Sequence, residues 1–218
     1  MMAADTLPSI AAALLAGAVT AAQVAFGAAV IAFGMGLALA LVNVFTRMRP
    51  LRVAIGVYVE WMRNVPALAH LFVLYFGLAS VGIRFSPKAA AIVGLGLVGA
   101  AVLCDVFSAG LRALHAGQRE AALAVGLTPV QALRFVVLPQ VLRLTLPSIG
   151  NYATQLIKDT SIASAIAAPE IMFYARSLVT STFQTPLIYA SAIALYASIV
   201  FPVGWLFGRL EQRLGVGR

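Results

Sequence analysis

The chain is 218 residues long, 62% hydrophobic and only 10% charged, with a mean hydropathy of +0.98; a soluble domain of this length is about half apolar and about a quarter charged. This excludes an ordinary soluble enzyme and predicts an all-α integral membrane protein built as one transmembrane domain, residues 1–218. The 15 Lys and Arg against 7 Asp and Glu fall in the gaps between apolar runs, which suits the positive-inside rule and not the basic, aromatic-interleaved face that nucleic acid requires.

Apolar runs reaching the ~20 residues needed to cross a ~30 Å hydrocarbon core divide the chain into five spans. The first runs from about Ala11 to Phe45, too long for the apolar core of a signal peptide and therefore read as a retained span. Gly27, Gly34, Gly36 and many Ala within it predict close helix packing. It ends at Arg47, Arg49, Pro50 and Arg52. An amphipathic lead-in, Tyr58 to Arg63, precedes the second span, about Val65 to Val81. Arg84, Pro87 and Lys88 mark the next turn, and the third span runs from about Ala89 to Leu111. It contains Cys104, the single cysteine, which has no disulfide partner and reads as a small buried hydrophobe.

A long polar loop, about 112–143, follows. Within it Gln118 to Val125 reads as a short helix ended by Gly126, which adopts the left-handed conformation without penalty. Thr128 then caps a second helix, with Pro129 at its first position and Gln131 three residues after the cap. That second helix is expected to stop near Leu138-Pro139. The fourth span, about Leu146 to Ala168, is stopped by Pro169, and the fifth runs from about Pro186 to Phe207. A basic tail follows, with Arg209, Arg213 and Arg218. Trp61 and Trp205 suit the interfacial aromatic belt, while His70 and His115 lack ligand-spaced partners and predict no metal site.

Orientation follows from the basic residues. Arg47, Arg49, Arg52, Arg63, Arg112, Arg119, Arg134, Arg143, Arg209, Arg213 and Arg218 fall on one side, whereas Arg84, Lys88 and Arg176 fall on the other. This predicts an outside N-terminus, with the 112–143 loop and the C-terminus in the cytoplasm.

Glu120-Ala121-Ala122, Gly126 and Leu138-Pro139 together resemble the cytoplasmic loop of bacterial ATP-binding cassette importer permeases. The resemblance implies the type I importer permease fold with five transmembrane helices, and a coupling helix that docks on a separate ATPase subunit. The chain itself would then hold no cofactor, ATP and Mg being bound by that partner. Further motifs are similar to the polar amino acid branch of the family: Tyr58-Val59-Glu60 with Arg63 and Pro66 leading into the second span, Gly117-Gln118, Leu138-Pro139-Gln140, Pro147 with Gly150-Asn151, and Lys158-Asp159-Thr160-Ser161. Members of that branch sit in the bacterial inner membrane. They pair with a second permease, either a copy or a sibling, and work with two ATP-binding subunits and an extracytoplasmic solute-binding protein.

The candidate substrate path comprises Val98, Asp105, Tyr152, Gln155, Lys158 and Asp159. Charges at the centre of a span cost about 2.5–3.5 kcal/mol each on insertion scales, so they face a cavity or a partner instead of lipid. Lys158 and Asp159 point about 100° apart on a helix; either they line the path or they tie the fourth span to its neighbours. Asp105 stands where the family's E-I-F-R-A-G element carries Glu, but the Arg of that element is replaced by Ser108, which leaves no basic residue beside the acid in the chain. It is therefore expected to face a neighbouring span's cation or water, in a structural role more than a substrate contact. The family also carries Asn where this chain has Val98, and an acid or Gln where it has Tyr152. These departures leave three readings open: a non-binding half of a heterodimer, an unusual substrate, or no specific intramembrane site. An intramembrane enzyme lacks a His partner for Ser161 or Ser164, and a secondary transporter would need more spans with internal repeats.

Overall fold

Small residues at intervals along the first helix set how closely the bundle can pack. The computed structural model describes residues 6–114 and 116–215; His115 and Arg218 therefore lie outside the described residues. Helix α1 (Thr6–Phe45) buries Ala21, Ala28, Ala32 and Ala40 on one side. This side lies along α4 (Pro87–Ala113), the third span, which is equally rich in small buried residues. A Cβ on Gly27 would come within 2.9 Å of Ile92, and one on Gly36 within 2.9 Å of Leu103. The two helices approach as closely as their backbones allow, as small-residue interfaces do in lipid, where dispersion contacts take over from the hydrophobic effect. Gly34 departs from the expected packing role: a Cβ there meets nothing within 4 Å.

The second span is broken. Helix α2 (Arg49–Asn64) is amphipathic and considerably longer than the lead-in expected from Tyr58 onward. It meets α3 (Ala67–Ser80) at a bend of 104°. The break falls at Val65, whose extended conformation (φ −94°, ψ 135°) is the one preferred before proline, here Pro66. Counted as one crossing, the bent pair brings the four long apolar helices to five spans.

The polar loop after α4 contains α5 (Ala116–Ala124), and α6 then runs from Pro129 to Ile166 as one 38-residue span. The expected stop at Leu138-Pro139 does not occur. A single wide turn, Leu133–Val137, directly precedes it. Proline lacks an N–H and its ring clashes with the carbonyl four residues back; the wide turn re-registers that ladder and lets the helix continue. At the other end the α-helical ladder closes at Asp159 and tightens into a 3₁₀ segment, Thr160–Ile166. Lys158 and Asp159 thus lie at the end of the α-helical part and not near its middle. The segment ends at Ala167 in the left-handed conformation (φ 60°), where the N–H of Ala168 donates to Ala163 O before Pro169 forbids continuation.

A short helix that the span pattern did not anticipate follows, α7 (Ile171–Thr182), and then α8 (Thr185–Leu214). The corner is held by Glu170. Its buried carboxylate accepts hydrogen bonds from the N–H groups of Met172 (2.9 Å) and Phe173 (2.8 Å) and from the Tyr196 hydroxyl (2.5 Å). Burial pushes this carboxyl above the ordinary glutamate range, against the opposing pull of the Tyr196 hydroxyl and the two amides. Gly17 of α1 passes directly over this corner, so that a Cβ there would lie 2.7 Å from the amide nitrogen of Ile171.

Candidate functional site

The loop between α4 and α6 has the local chemistry to be a rigid knob. At the end of α5 the N–H of Leu127 donates to Ala122 O and that of Gly126 to Leu123 O, the paired bonds of a Schellman cap. Gly126 sits at φ +88°, as the cap requires. Two residues later Thr128 Oγ1 accepts from Gln131 N (3.3 Å) while Gln131 Oε1 accepts from Thr128 N (2.9 Å), a complete capping box. Gln140 Nε2 donates to both Gln118 Oε1 (3.2 Å) and Val136 O (3.0 Å). This stitches α5 to the start of the fourth span.

Of the predicted coupling residues, Ala122 is buried against the body of the protein and Leu138 is half-buried. Glu120, Ala121, Gly126 and Pro139 are exposed. Between and beside them Val125 and Val130 are 79% and 73% exposed.

The intramembrane candidates fall into separate groups. Arg63, at the end of α2, forms an ion pair with Asp105 on α4, both side chains about half exposed (48% and 45%). Asp105 has no basic residue beside it in its own element, and in space it faces a cation from a neighbouring helix, one of the two partners expected for it. The family's Arg position is occupied here by buried Ser108; the cation arrives instead from the helix that leads into the second span. Tyr58 reinforces the same junction, its hydroxyl donating to Leu97 O (2.7 Å). Val98 lines a cleft of about 370 Å³ at the bend, alongside Arg63, Pro66 and Val102.

On α6, Gln155 Nε2 donates to Asp159 Oδ1 (2.8 Å), a pairing one helical turn apart. Lys158 points elsewhere and is exposed. No hydrogen bond or ion pair among the described residues joins Arg63–Asp105 to Gln155–Asp159.

Tyr152 is turned inward. It packs between the two main apolar clusters, and its buried hydroxyl has no hydrogen-bond partner. A Cβ on Gly99 would lie 1.8 Å from that oxygen; the phenol occupies the gap that glycine leaves in α4. Sequence reasoning missed Glu170. Its only signal was an acid directly after Pro169 and before a new apolar segment, a position where capping more often falls to Ser, Thr, Asp or Asn.

Residues 30–216 match the family described as the binding-protein-dependent transport system inner membrane component. The chain is 33% identical over 182 residues, 84% of each chain, to the probable glutamine ABC transporter permease protein GlnM of Bacillus subtilis (strain 168). It is 31% identical over 189 residues to the L-cystine transport system permease protein TcyB of the same organism, covering 85% of this chain and 81% of that one. Among solved structures, an amino acid ABC transporter crystallised with histidines matches with a TM-score of 0.86 at 26% identity, covering 95% of this chain and 97% of that one. The MetNI methionine ABC transporter, at 20% identity and a TM-score of 0.77 over 92% of this chain and 95% of that one, shares the fold.

Proposed function

This chain belongs to the family of binding-protein-dependent transport system inner membrane components, and we propose how it serves as the membrane subunit of an ATP-driven importer of amino acids. It is a transport component and not an enzyme, and it works with ATPase and binding-protein subunits. The knob formed by α5 and the start of α6 is the surface on which a separate ATPase seats, with Glu120 setting register and Val125 and Val130 supplying apolar contact. The observation that carries this reading is the stitch from Gln140 to Gln118. Through it, a push on α5 is delivered to a span that continues unbroken to Asp159. ATP and Mg belong to that partner.

The full assembly pairs this chain with a second permease, a copy or a sibling, above two ATP-binding subunits. The basic side, with the knob, faces the cytoplasm, and the N-terminus lies outside. The candidate path runs past Arg63–Asp105 and Gln155–Asp159, with Lys158 nearby on the exposed side of the helix. Tyr152, committed to the interior against Gly99, and apolar Val98 favour a subunit that walls the path without holding the amino acid itself.

The test pairs Glu120→Lys, which reverses charge on the docking face, with Gly126→Val, which opposes the positive φ of the cap. Both variants should reach the membrane yet lose amino acid uptake or release the ATPase during purification. Wild-type uptake and copurification by both would refute the docking assignment.

A further inference from the structure

Where α1 ends, its last residues face the underside of the knob across a two-lobed cavity. The first lobe, about 500 Å³, has apolar walls from Val44, Phe45, Leu133 and Val137, with Arg47 and Arg119 at its rim. The second, about 440 Å³, shares Val44, Phe45, Arg119 and Val137 and adds Glu120. The Arg119 guanidinium lies 5.6 Å above the Phe45 ring. A ring supplies no anionic partner, so the guanidinium still has N–H donors to offer an anion. Neither Arg47 nor Arg119 makes an ion pair among the described residues, and no carboxylate lines the first lobe.

Two unpaired guanidinium groups above an apolar hollow have a specific complement. A planar fork of N–H donors matches a phosphate, while Val44, Leu133 and Val137 match hydrocarbon. The height agrees: α1 has just left its apolar run, and Arg49 and Arg52 follow at the start of amphipathic α2. Basic pockets between helices at this level take anionic lipid headgroups. Glu120 repels phosphate from the second lobe, which directs the headgroup to the first.

We infer that the cavity between the end of α1 and the knob is a binding site for an anionic phospholipid, its phosphate held by Arg47 and Arg119. The inference rests on the transmembrane reading and not on which amino acid is carried. Val130, assigned above to the ATPase contact, also lines the first lobe, so the ATPase is the competing occupant that the test must separate. A lipid seated there lies between α1 and the element that receives the ATPase stroke, and it makes the knob's position depend on membrane composition.

The assembled permease, purified with its partner subunits and stripped of lipid, is offered phosphatidylglycerol or phosphatidylcholine, and retained lipid is counted by native mass spectrometry. Phosphatidylglycerol should be retained at least about tenfold over phosphatidylcholine, given about 1 kcal/mol per basic residue near the surface. Arg47→Gln with Arg119→Gln should abolish that preference, while Arg47→Lys with Arg119→Lys should keep only the part due to charge. Arg84→Gln, on the opposite side, should leave it unchanged. Equal retention of the two lipids by the wild type would overturn the inference, as would an undiminished preference in the double glutamine variant. Displacement of phosphatidylglycerol by millimolar inorganic phosphate would reassign the site to a soluble anion. Retention of phosphatidylglycerol by permease freed of the ATPase, but not by the assembled complex, would overturn the inference and assign the cavity to that subunit. Should the double variant fail to accumulate, the wild-type comparison and the lysine pair still decide.

Discussion

Arg63 and Asp105, 42 residues apart in the chain, form an ion pair that pins the end of α2 to the side of α4. The bend at Val65-Pro66 begins two residues after the arginine. The direction in which the second span enters the membrane is therefore fixed by a charge on the third. The pairing also accounts for an acid on α4 with no basic residue near it on its own helix.

Breaking the pair from either side should be costly, because the remaining charge stays at membrane depth without its partner. Arg63→Ala and Asp105→Ala should each reduce uptake markedly. A double-mutant cycle on thermal stability should give a coupling energy of about 0.5–3 kcal/mol, the range for residues in contact. Additive single effects would show that the pair contributes nothing beyond its separate charges.

Tyr152 and Gly99 occupy one space between them. Gly99→Ala should sharply reduce the amount of folded protein, since its Cβ would fall 1.8 Å from the phenolic oxygen. Adding Tyr152→Leu should restore it in part, since the Ala32 Cβ still lies 2.8 Å from the added carbon. Tyr152→Phe alone removes a buried hydroxyl without a partner, which should be neutral or stabilise by about 1–3 kcal/mol, the cost of an unsatisfied buried polar group. Unchanged uptake in Tyr152→Phe would support the reading that this residue does not contact the amino acid; a large loss would argue that it does.

Glu170 gives the corner a dependence on pH. Its folded-state carboxyl is pushed above the ordinary glutamate range, so the folded protein holds this proton more tightly than the unfolded chain does. The corner is then most stable below that range and loses stability as pH rises through it towards the raised value. The melting temperature should fall over that interval, and Glu170→Gln should flatten the fall. Glu170→Ala should destabilise at every pH by about 1–3 kcal/mol, through the lost cap and the stranded Tyr196 hydroxyl. A wild-type profile that rises across the same interval would contradict the assignment.

Topology is tested by single cysteines, since Cys104, the only native thiol, is buried. A cysteine at Val81, 71% exposed beyond α3, should react with an impermeant reagent added to intact spheroplasts. A cysteine at Gln118 should react only after the membrane is opened. The reverse pattern would invert the orientation.

Much of this architecture was legible in the sequence because it depends on neighbours along the chain. Apolar runs of sufficient length specify spans wherever backbone groups must satisfy one another without water. The Gly126 cap and the Thr128–Gln131 capping box are closed by residues within five positions of each other, so their spelling is local. The continuation of the helix through Pro139 was not legible, because proline ordinarily marks a stop and only the wide turn before it removes the clash. What the tertiary structure alone decided are the contacts between helices: Arg63 with Asp105, Tyr152 against Gly99, Tyr196 on Glu170, and Gly17 over Ile171. Each joins residues from different helices whose meeting depends on register and rotation in the bundle. Periodicity in one helix shows which side is apolar, but not which residue of a neighbour stands opposite. Close packing of small residues along α1 and α4 fixes the register between those two helices.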